Sequence, residues 1–352
     1  MNKKTGIGAA AALLIIVGIC LLAYLGGRRV RPQTAQTDAG TEGIRIGFTL
    51  DSLILERWQR DRDVFVSAAQ ELGADVNIQN ANGDMQEQIA QIDYFIEKQM
   101  DVIVVVQVAS DEDQIGLRAA LGRAKRAGIP VVAYDRLVLN GGVDYYVSFD
   151  NEAVGRLMGE HMREHLEEEG EILQICGPLS DYNVPQVMEG FAAAIEGSGI
   201  EVMETGYAEE WLGETGFTVA GDYLERHGTV AGIMCGNDSI AGNAIRALSE
   251  RRLAGEVCVV GQDADLDACQ RIVEGTQCMT VYKPVEALAR RAAELAVALA
   301  EGEEVQAAET MNDGTYDVPY ERMEPTAVTK DNMDEVITGK YHEESDIYLN
   351  VR

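Results

Sequence analysis

The chain has 352 residues, of which 46 % are hydrophobic and 25 % are charged, so its composition is that of a globular protein rather than a disordered one. This length allows two domains of ordinary size. The formal net charge of −30 argues against nucleic-acid binding, because that function needs a surplus of Lys and Arg to displace counterions. An acidic balance is typical of a solvated surface and identifies no partner.

The first 27 residues contain Lys3 and Lys4, followed by an apolar run from Ile7 to Leu25. A cleaved secretory signal has an apolar core of ~7–15 residues, whereas a bilayer span needs ~20. The length therefore favours an uncleaved signal-anchor or transmembrane segment over residues 1–27, with a cleaved signal peptide as the alternative. Residues 28–42 are small and polar, which predicts a flexible linker.

Cysteine and histidine usage predicts no metal site. The cysteines form no CxxC motif and no Cys/His pair at zinc-ligand spacing, and the four histidines are interpreted as scattered. Disulfides among Cys176, Cys235, Cys258, Cys269 and Cys278 are left open. No GxSxG elbow, Cys/His dyad or phosphate-binding loop occurs, so we expect neither an enzyme nor a bound cofactor.

From Ile44 onward, short β-branched runs alternate with longer segments whose apolar residues recur every three or four positions. Strands are predicted at 44–49, 75–80, 101–106, 130–135, 145–149, 171–176, 201–206, 231–236, 257–262 and 279–283. Helices are predicted at 59–72, 86–98, 111–127, 151–168, 184–196, 214–226, 238–251, 265–274 and 285–300. The alternation indicates an α/β fold of two doubly wound parallel sheets, dividing near 149–151.

Polar and aromatic residues follow the strands, where doubly wound sheets bind their ligands. They are Asp51, Arg57, Trp58, Asp135, Arg136, Asp181, Asn183, Asn237, Asp238, Asp263, Asp265 and Lys283. Asp238 and Asp265 are predicted mainly to cap helices, whereas Asp263 is predicted to contact a ligand. The charged run from Arg60 to Asp63 is interpreted as a helix start with a solvated face or an interlobe ion pair.

Carboxylates interleaved with Arg, Lys and Asn suit a ring of hydroxyl groups, because each hydroxyl both donates and accepts. Trp58 and Trp211, one from each half of the chain, would then cover the C–H faces of a sugar ring. Paired carboxylates keep a glycosidase formally open.

Seven stretches carry a family resemblance: "LERWQRDRD", "QNANGD", "VVAYDRL", "SFDNEAVG", "GNDSIAGNAI", "GQDADLDACQRI" and "GTQCMTVYKP". From Ile44 to about Glu344 the chain resembles the periplasmic sugar-binding proteins of the ribose/galactose type, and looks most like the D-xylose-binding proteins of ABC importers. The resemblance implies a type I periplasmic binding protein, which closes like a flytrap. It implies an N-terminal lobe of residues 43–150 plus about 284–322, and a C-terminal lobe of 151–283 plus about 323–350.

The resemblance also implies a set of sugar-binding residues: Arg57, Trp58, Asp135, Arg136, Asp181, Asn183, Trp211, Asn237, Asp263 and Lys283. The loop "GPLSDYNVPQ" departs from the family pattern at Tyr182 and Pro185, which leaves the fine specificity open.

The implied function is extracytoplasmic binding of D-xylose, or of a similar aldopentose or aldohexose, and its delivery to an ABC permease. The N-terminal segment would anchor the protein to the membrane. The alternative is a membrane-anchored xylose sensor that signals through a sensor histidine kinase. A repressor of the lactose type would need a basic helix-turn-helix at its N-terminus, where this chain has an apolar run.

Overall fold

The computed structural model describes residues 43–351, which form the following elements. The strands are β1 (Ile44–Leu50), β2 (Ala74–Asn80), β3 (Val102–Val105), β4 (Val131–Tyr134), β5 (Tyr145–Phe149), β6 (Glu169–Cys176), β7 (Gly199–Tyr207), β8 (Gly232–Cys235), β9 (Cys258–Gln262), β10 (Met279–Tyr282), β11 (Glu309–Asn312), β12 (Asp317–Met323) and β13 (Thr326–Val328). The helices are α1 (Glu56–Glu71), α2 (Met85–Glu97), α3 (Gln114–Ala127), α4 (Asn151–His165), α5 (Asn183–Ile195), α6 (Glu214–His227), α7 (Asp238–Glu250), α8 (Leu266–Glu274), α9 (Val285–Glu301), α10 (Met333–Val336) and α11 (Glu344–Ile347).

Two sheets organise these residues into two lobes. The first lobe is built on a seven-stranded sheet of order β11-β12-β5-β4-β3-β1-β2, and the second on a six-stranded sheet of order β13-β10-β9-β8-β6-β7. Neighbouring strands are parallel except for the pairs β11–β12 and β10–β13 at the two edges. The expected two-lobe parallel α/β architecture is thus confirmed, with antiparallel edge strands added.

Burial on both faces explains why the central strands read as continuous apolar runs. All four residues of β3, "VIVV", are buried, as are the four of β8, "GIMC". Helix α9 packs against α1 on one face of the first sheet, where the rings of Phe48 and Phe65 lie tilted at 49° with their centroids 4.6 Å apart. Helices cover each sheet on both sides, as parallel sheets require.

The ten strands and nine longer helices expected from the alternation are all present, and helix ends differ by three residues at most. Strands β11, β12 and β13 were missed. In β11 all four residues are at least partly exposed, so no apolar run marks it, and β12 is interrupted by Pro319.

Among residues 43–351, the chain passes between the lobes three times: after β5, between β10 and α9, and between β12 and β13. Because of these passages, residues distant in sequence meet in the cleft between the two sheets.

The predicted signal-anchor over 1–27 and the linker over 28–42 lie outside the described residues. Within the described part, no helix combines the length and the apolar content that a membrane crossing requires. Cys176, Cys235, Cys258, Cys269 and Cys278 are free thiols.

Candidate functional site

The predicted site residues follow the carboxyl ends of strands in both lobes. Strand β1 leads into α1, whose first turn carries Arg57 and Trp58, and β4 ends directly before Asp135. In the second lobe, β6 leads to Asp181 and Asn183, β7 to Trp211, β8 to Asn237, β9 to Asp263 and β10 to Lys283. Strand ends in parallel sheets lie at one edge, and here the two edges face each other across the cleft.

Arg57 and Asp135 form the centre of a buried polar network. Nη2 of Arg57 lies 2.6 Å from Oδ2 of Asp135, and its Nε donates to Oδ2 of Asp61 at 3.2 Å. From the second lobe, Nδ2 of Asn183 donates to Oδ1 of Asp135 at 2.6 Å, and Oδ1 of Asn183 accepts from Nδ2 of Asn151 at 3.0 Å. Asp135 is therefore bonded from both sides of the cleft.

The electrostatics of this network keep its central pair charged. Burial alone would raise the pKa of Asp135, but Arg57, Lys283 and Arg136 together lower that pKa below its ordinary value. For Arg57 burial acts in the other direction and would lower the pKa, but the carboxylates of Asp135 and Asp61 raise this pKa well above its ordinary value. The site therefore presents a fixed carboxylate and a fixed guanidinium.

Arg136 links the lobes directly. Its Nε lies 2.6 Å from Oδ2 of Asp181 in the second lobe, and its Nη1 donates to the carbonyl of Gln107 at 2.8 Å and to the carboxylate of Asp51. Oδ2 of Asp181 also accepts a hydrogen bond from Nε1 of Trp211 at 3.1 Å. These bonds hold the cleft closed.

The two tryptophans line one cavity of 340 Å³ between the lobes, together with Arg136 and Ser180. Trp58 is 3 % exposed and is part of the first-lobe core, with the guanidinium of Arg57 4.1 Å from its ring centroid. Trp211 is half-buried. The two rings, one from each lobe, thus border the same space.

The backbone around Trp211 is arranged to seat its ring. A Cβ at Gly177 would lie 2.4 Å from the indole ring, so only glycine permits this approach. Trp211 itself has φ 58° in the short 3₁₀ turn Glu209–Trp211. Such backbone is uncommon for a bulky residue and is concentrated at ligand sites.

Strain recurs at the first residue after β4 and after β9. Asp135 has φ 65° and Asp263 has φ 103°, both in the region that favours glycine. Oδ1 of Asp263 lies 2.7 Å from Nζ of Lys283, which reproduces in the second lobe the carboxylate–cation pairing of Asp135. The two aspartates therefore occupy matching positions in the two lobes.

Two amide side chains of the second lobe each have one polar atom without a hydrogen-bond partner in the described part of the chain. Nδ2 of Asn237 and Oε1 of Gln262 are buried and have no hydrogen-bond partner within residues 43–351. Gln262, the last residue of β9, uses its Nε2 to donate to the carbonyl of Gly236 at 2.5 Å. Buried polar atoms are nearly always bonded, so these two atoms are candidate contacts for a ligand.

The structure corrects two capping assignments. Oδ1 of Asn237, not Asp238, caps α7 by accepting from the amide of Ile240 at 2.9 Å. Asp238 is fully buried and accepts from the hydroxyl of Thr280 at 2.7 Å. Asp265 precedes α8 but its side chain makes no capping bond.

The interpretation of Asp61 as part of a solvated face or an interlobe pair was wrong. Its side chain is fully buried and bonds Arg57 and Tyr134, both in its own lobe. Its spacing of four residues from Arg57 places both on one helix face, which could have indicated the pair. Gln262 was also missed, although its position at a strand end was a usable signal.

Two of the four histidines are not scattered, contrary to the sequence interpretation. His161 and His165 lie four residues apart near the end of α4, and their ring nitrogens lie within 4.8 Å of the sulfurs of Cys258 and Cys278 and of each other. The two cysteines are far from the two histidines in sequence, so only the fold brings the four residues together.

Comparison with known proteins agrees with this architecture. Residues 46–304 match the family model described as a periplasmic binding protein domain. The D-xylose-binding periplasmic protein of Haemophilus influenzae is 40 % identical over 318 residues, covering 89 % of this chain and 94 % of that protein. The Escherichia coli protein of the same name is 38 % identical over 315 residues, covering 88 % and 94 %.

The chain is also similar to a solved structure. An ABC transporter solute-binding protein from Clostridium phytofermentans, with bound β-D-glucose, superposes with a TM-score of 0.77 at 26 % identity, covering 86 % of this chain and 99 % of that one. The relatives of this kind bind substrates and are not enzymes. The chain belongs to the periplasmic binding protein family.

Proposed function

We propose that this protein binds D-xylose, or a similar aldopentose or aldohexose, between its two lobes and delivers it to an ABC permease outside the cytoplasm. Two relatives named as D-xylose-binding proteins, at 40 % and 38 % identity, support the choice of sugar. The solute-binding protein that resembles it in structure carries glucose, which supports the wider class.

The observation that carries this proposal is the pairing of bonded charges with unbonded amide atoms across one cleft. Asp135 is fixed by Arg57 and Asn183, whereas Asn237 and Gln262 each hold a buried polar atom with no partner among residues 43–351. A sugar hydroxyl donates one hydrogen bond and accepts others, so one ring can satisfy such a mixed set.

The aromatic lining suits the remaining surface of the sugar. Trp58 and Trp211 border a cavity whose 340 Å³ lies in the lower part of the range of roughly 300–1,000 Å³ that small-molecule sites occupy. A pyranose exposes C–H groups on its two faces, and an indole ring provides an apolar surface for each.

Closure follows from bonds that join the lobes. Arg136 pairs with Asp181, Asn183 bonds Asp135, and the hydroxyl of Ser180 donates to the carbonyl of Ala109 at 3.1 Å. In the proposal, the sugar adds bonds that only the closed cleft can make and so shifts the lobes toward this arrangement. The closed form is the one the permease would recognise.

The lobe boundaries at 43–150 plus about 284–322, and at 151–283 plus about 323–350, are part of this proposal. So is anchoring by residues 1–27, which lie outside the described residues. No observation favours the sensor alternative: the relatives are named for sugar binding, and neither name mentions signalling.

Isothermal titration of the full-length protein with D-xylose, L-arabinose, D-ribose and D-glucose tests the assignment. We expect saturable heat with D-xylose and weaker or no heat with the others. The Asn237→Ser variant keeps a side-chain oxygen that can cap α7 but removes Nδ2, and should lose affinity, whereas Asn243→Ala, which removes an amide within α7, should not. An absence of heat with every pentose would overturn the pentose assignment, and heat with D-glucose alone would replace it by a hexose.

A further inference from the structure

A compact group of metal-binding side chains lies in the second lobe, away from the sugar cleft. The group, called here the His–Cys cluster, consists of His161, His165, Cys258 and Cys278, and its ligand atoms all lie within 4.8 Å of one another. Sγ of Cys278 is 3.8 Å from Nδ1 and 3.9 Å from Nε2 of His165. A tetrahedral zinc site, with bonds of ~2.0–2.3 Å, has its ligand atoms roughly 3.3–3.8 Å apart, so small side-chain adjustments suffice.

Secondary structure positions each member of the cluster. His161 and His165 are separated by four residues on α4, which places them on one helix face, one turn apart. Cys258 is the first residue of β9, and Cys278 precedes β10, the parallel neighbour of β9. The amide of Cys278 donates to the carbonyl of Val259 at 2.9 Å, which holds the two cysteines side by side.

The bonding of these side chains leaves room for a metal. Cys258 is fully buried, both thiols are free, and Nε2 of His161 is buried with no hydrogen-bond partner among residues 43–351. A buried ring nitrogen without a partner is unusual. Coordination of a metal by this nitrogen and the two sulfurs would remove that deficit.

The donor set selects among metals. Two imidazoles and two thiolates in a tetrahedral arrangement are typical of Zn²⁺, whereas Mg²⁺ and Ca²⁺ require oxygen ligands. Four protein ligands complete the coordination shell and leave no open position, which is the pattern of structural rather than catalytic zinc.

The location indicates what the metal would do. The cluster lies where β9 and β10 begin, whereas the cleft residues lie at the other ends: Gln262 is the last residue of β9, and Lys283 directly follows β10. Helix α4 packs on both strands, so a metal held by α4, β9 and β10 would fasten this helix to the sheet. We propose that the His–Cys cluster binds one structural Zn²⁺ per chain, which stabilises the second lobe without contacting the sugar.

Metal analysis of the full-length protein tests this proposal. After incubation with ZnCl₂ under reducing conditions and dialysis, we expect one zinc per chain and a raised melting temperature. Substitution with CoCl₂ should give the intense visible bands of tetrahedral cobalt and a thiolate-to-cobalt charge-transfer band. His165→Ala should lower zinc affinity by about 100-fold or more, because loss of mere supporting partners already lowers it by about 10–100-fold.

Matched variants separate this site from incidental binding. His227→Ala removes an exposed histidine of the same lobe that stacks on Tyr223, and should retain the zinc. The double variant Cys258→Ser/Cys278→Ser should lose it, while His165→Ala, at an exposed position, should keep the fold and the heat of xylose binding. Zinc retention by His165→Ala, no retained zinc in the parent protein, or a Cys258–Cys278 disulfide in protein isolated without reductant would overturn the proposal.

Discussion

The two sides of the cleft differ in how completely their polar groups are bonded. In the first lobe, Arg57, Asp135 and Arg136 each take part in a buried ion pair. In the second lobe, Lys283 pairs with Asp263 in the same way, but Asn237 and Gln262 each keep a buried polar atom that has neither a hydrogen bond nor an ion pair within the described part of the chain. The comparison indicates that the first lobe holds a preorganised charged surface, while the second keeps hydrogen-bonding capacity for the ligand.

The largest expected effect comes from breaking the first-lobe network. Arg57→Ala leaves Asp135 and Asp61 buried without their cation, and removal of one partner of a buried pair costs about 3–5 kcal/mol. We expect the free energy of unfolding, measured with urea, to fall by that amount. As the control, Arg156→Ala removes an exposed pair with Glu160 on α4 and should change it by less than about 0.5 kcal/mol. Equal effects of the two substitutions would contradict the assigned role of Arg57.

Two buried aspartates, Asp238 in the second lobe and Asp135 in the first, should affect the pH dependence of stability with opposite signs. Burial raises the pKa of Asp238 in the second lobe to about 7, against the effects of Arg271 and Thr280. Between about pH 4 and pH 7 the folded chain keeps a proton on Asp238 that the unfolded chain has lost. The contribution of Asp238 to the free energy of unfolding therefore falls as pH rises. Over three pH units, at about 1.36 kcal/mol each, this decrease is at most about 4 kcal/mol. Asp238→Asn should flatten this part of a urea-unfolding profile.

Asp135 in the first lobe should act in the opposite direction. Its pKa lies below the ordinary value, so the stability it contributes is present above about pH 4 and is lost as pH falls through the folded-state pKa. Asp238→Asn should leave this acid limb unchanged. An unaltered slope between pH 4 and pH 7 in that variant would show that Asp238 is not the titrating group.

Trp211 gives a cleaner test of sugar stacking than Trp58. Trp58 is part of the first-lobe core, so Trp58→Ala would also destabilise the fold, whereas Trp211 is half-buried at the cavity. We expect Trp211→Ala to weaken xylose binding by about 1–3 kcal/mol, on the scale of lost aromatic contact. Titration calorimetry measures this change, and unaltered affinity would remove Trp211 from the site.

The smallest expected effect concerns the unbonded acceptor of Gln262. Gln262→Leu removes the acceptor together with the bond to Gly236, and should weaken xylose binding by about 1 kcal/mol. Gln70→Leu, at an exposed position of α1, is the matched control and should leave affinity unchanged. A loss of stability without a loss of affinity would mean that Gln262 is structural.

The sequence predicted most of the fold because its elements leave local signals. Apolar runs such as "VIVV" and the helical spacing around them mark β1 to β10 and α1 to α9. The edge strands β11 and β13 leave no such signal, because they are short and largely exposed and therefore contain no buried apolar run. Their position in the sheets depends on contacts between distant parts of the chain.

The candidate site was partly predictable for the same reason. Positions after strands could be read from the alternation, and three of the ten expected residues, Trp58, Arg136 and Trp211, line the cavity between the lobes. The hydrogen-bond partners of these residues could not be predicted from the sequence. Packing decides whether Asp61 is exposed or bonded to Arg57, and it also decides whether Asn237 or Asp238 caps α7. The His–Cys cluster shows the limit most clearly, because Cys258 and Cys278 meet His161 only through the sheet and the helix packed on it.

A crystal structure of the protein with D-xylose would show whether the sugar binds between the two lobes. We expect the sugar between Trp58 and Trp211, with hydroxyl groups within hydrogen-bond distance of Nδ2 of Asn237 and Oε1 of Gln262 and with Asp135 still paired to Arg57. A sugar bound elsewhere, or bound in the cleft with both amide atoms still unbonded, would contradict this expectation.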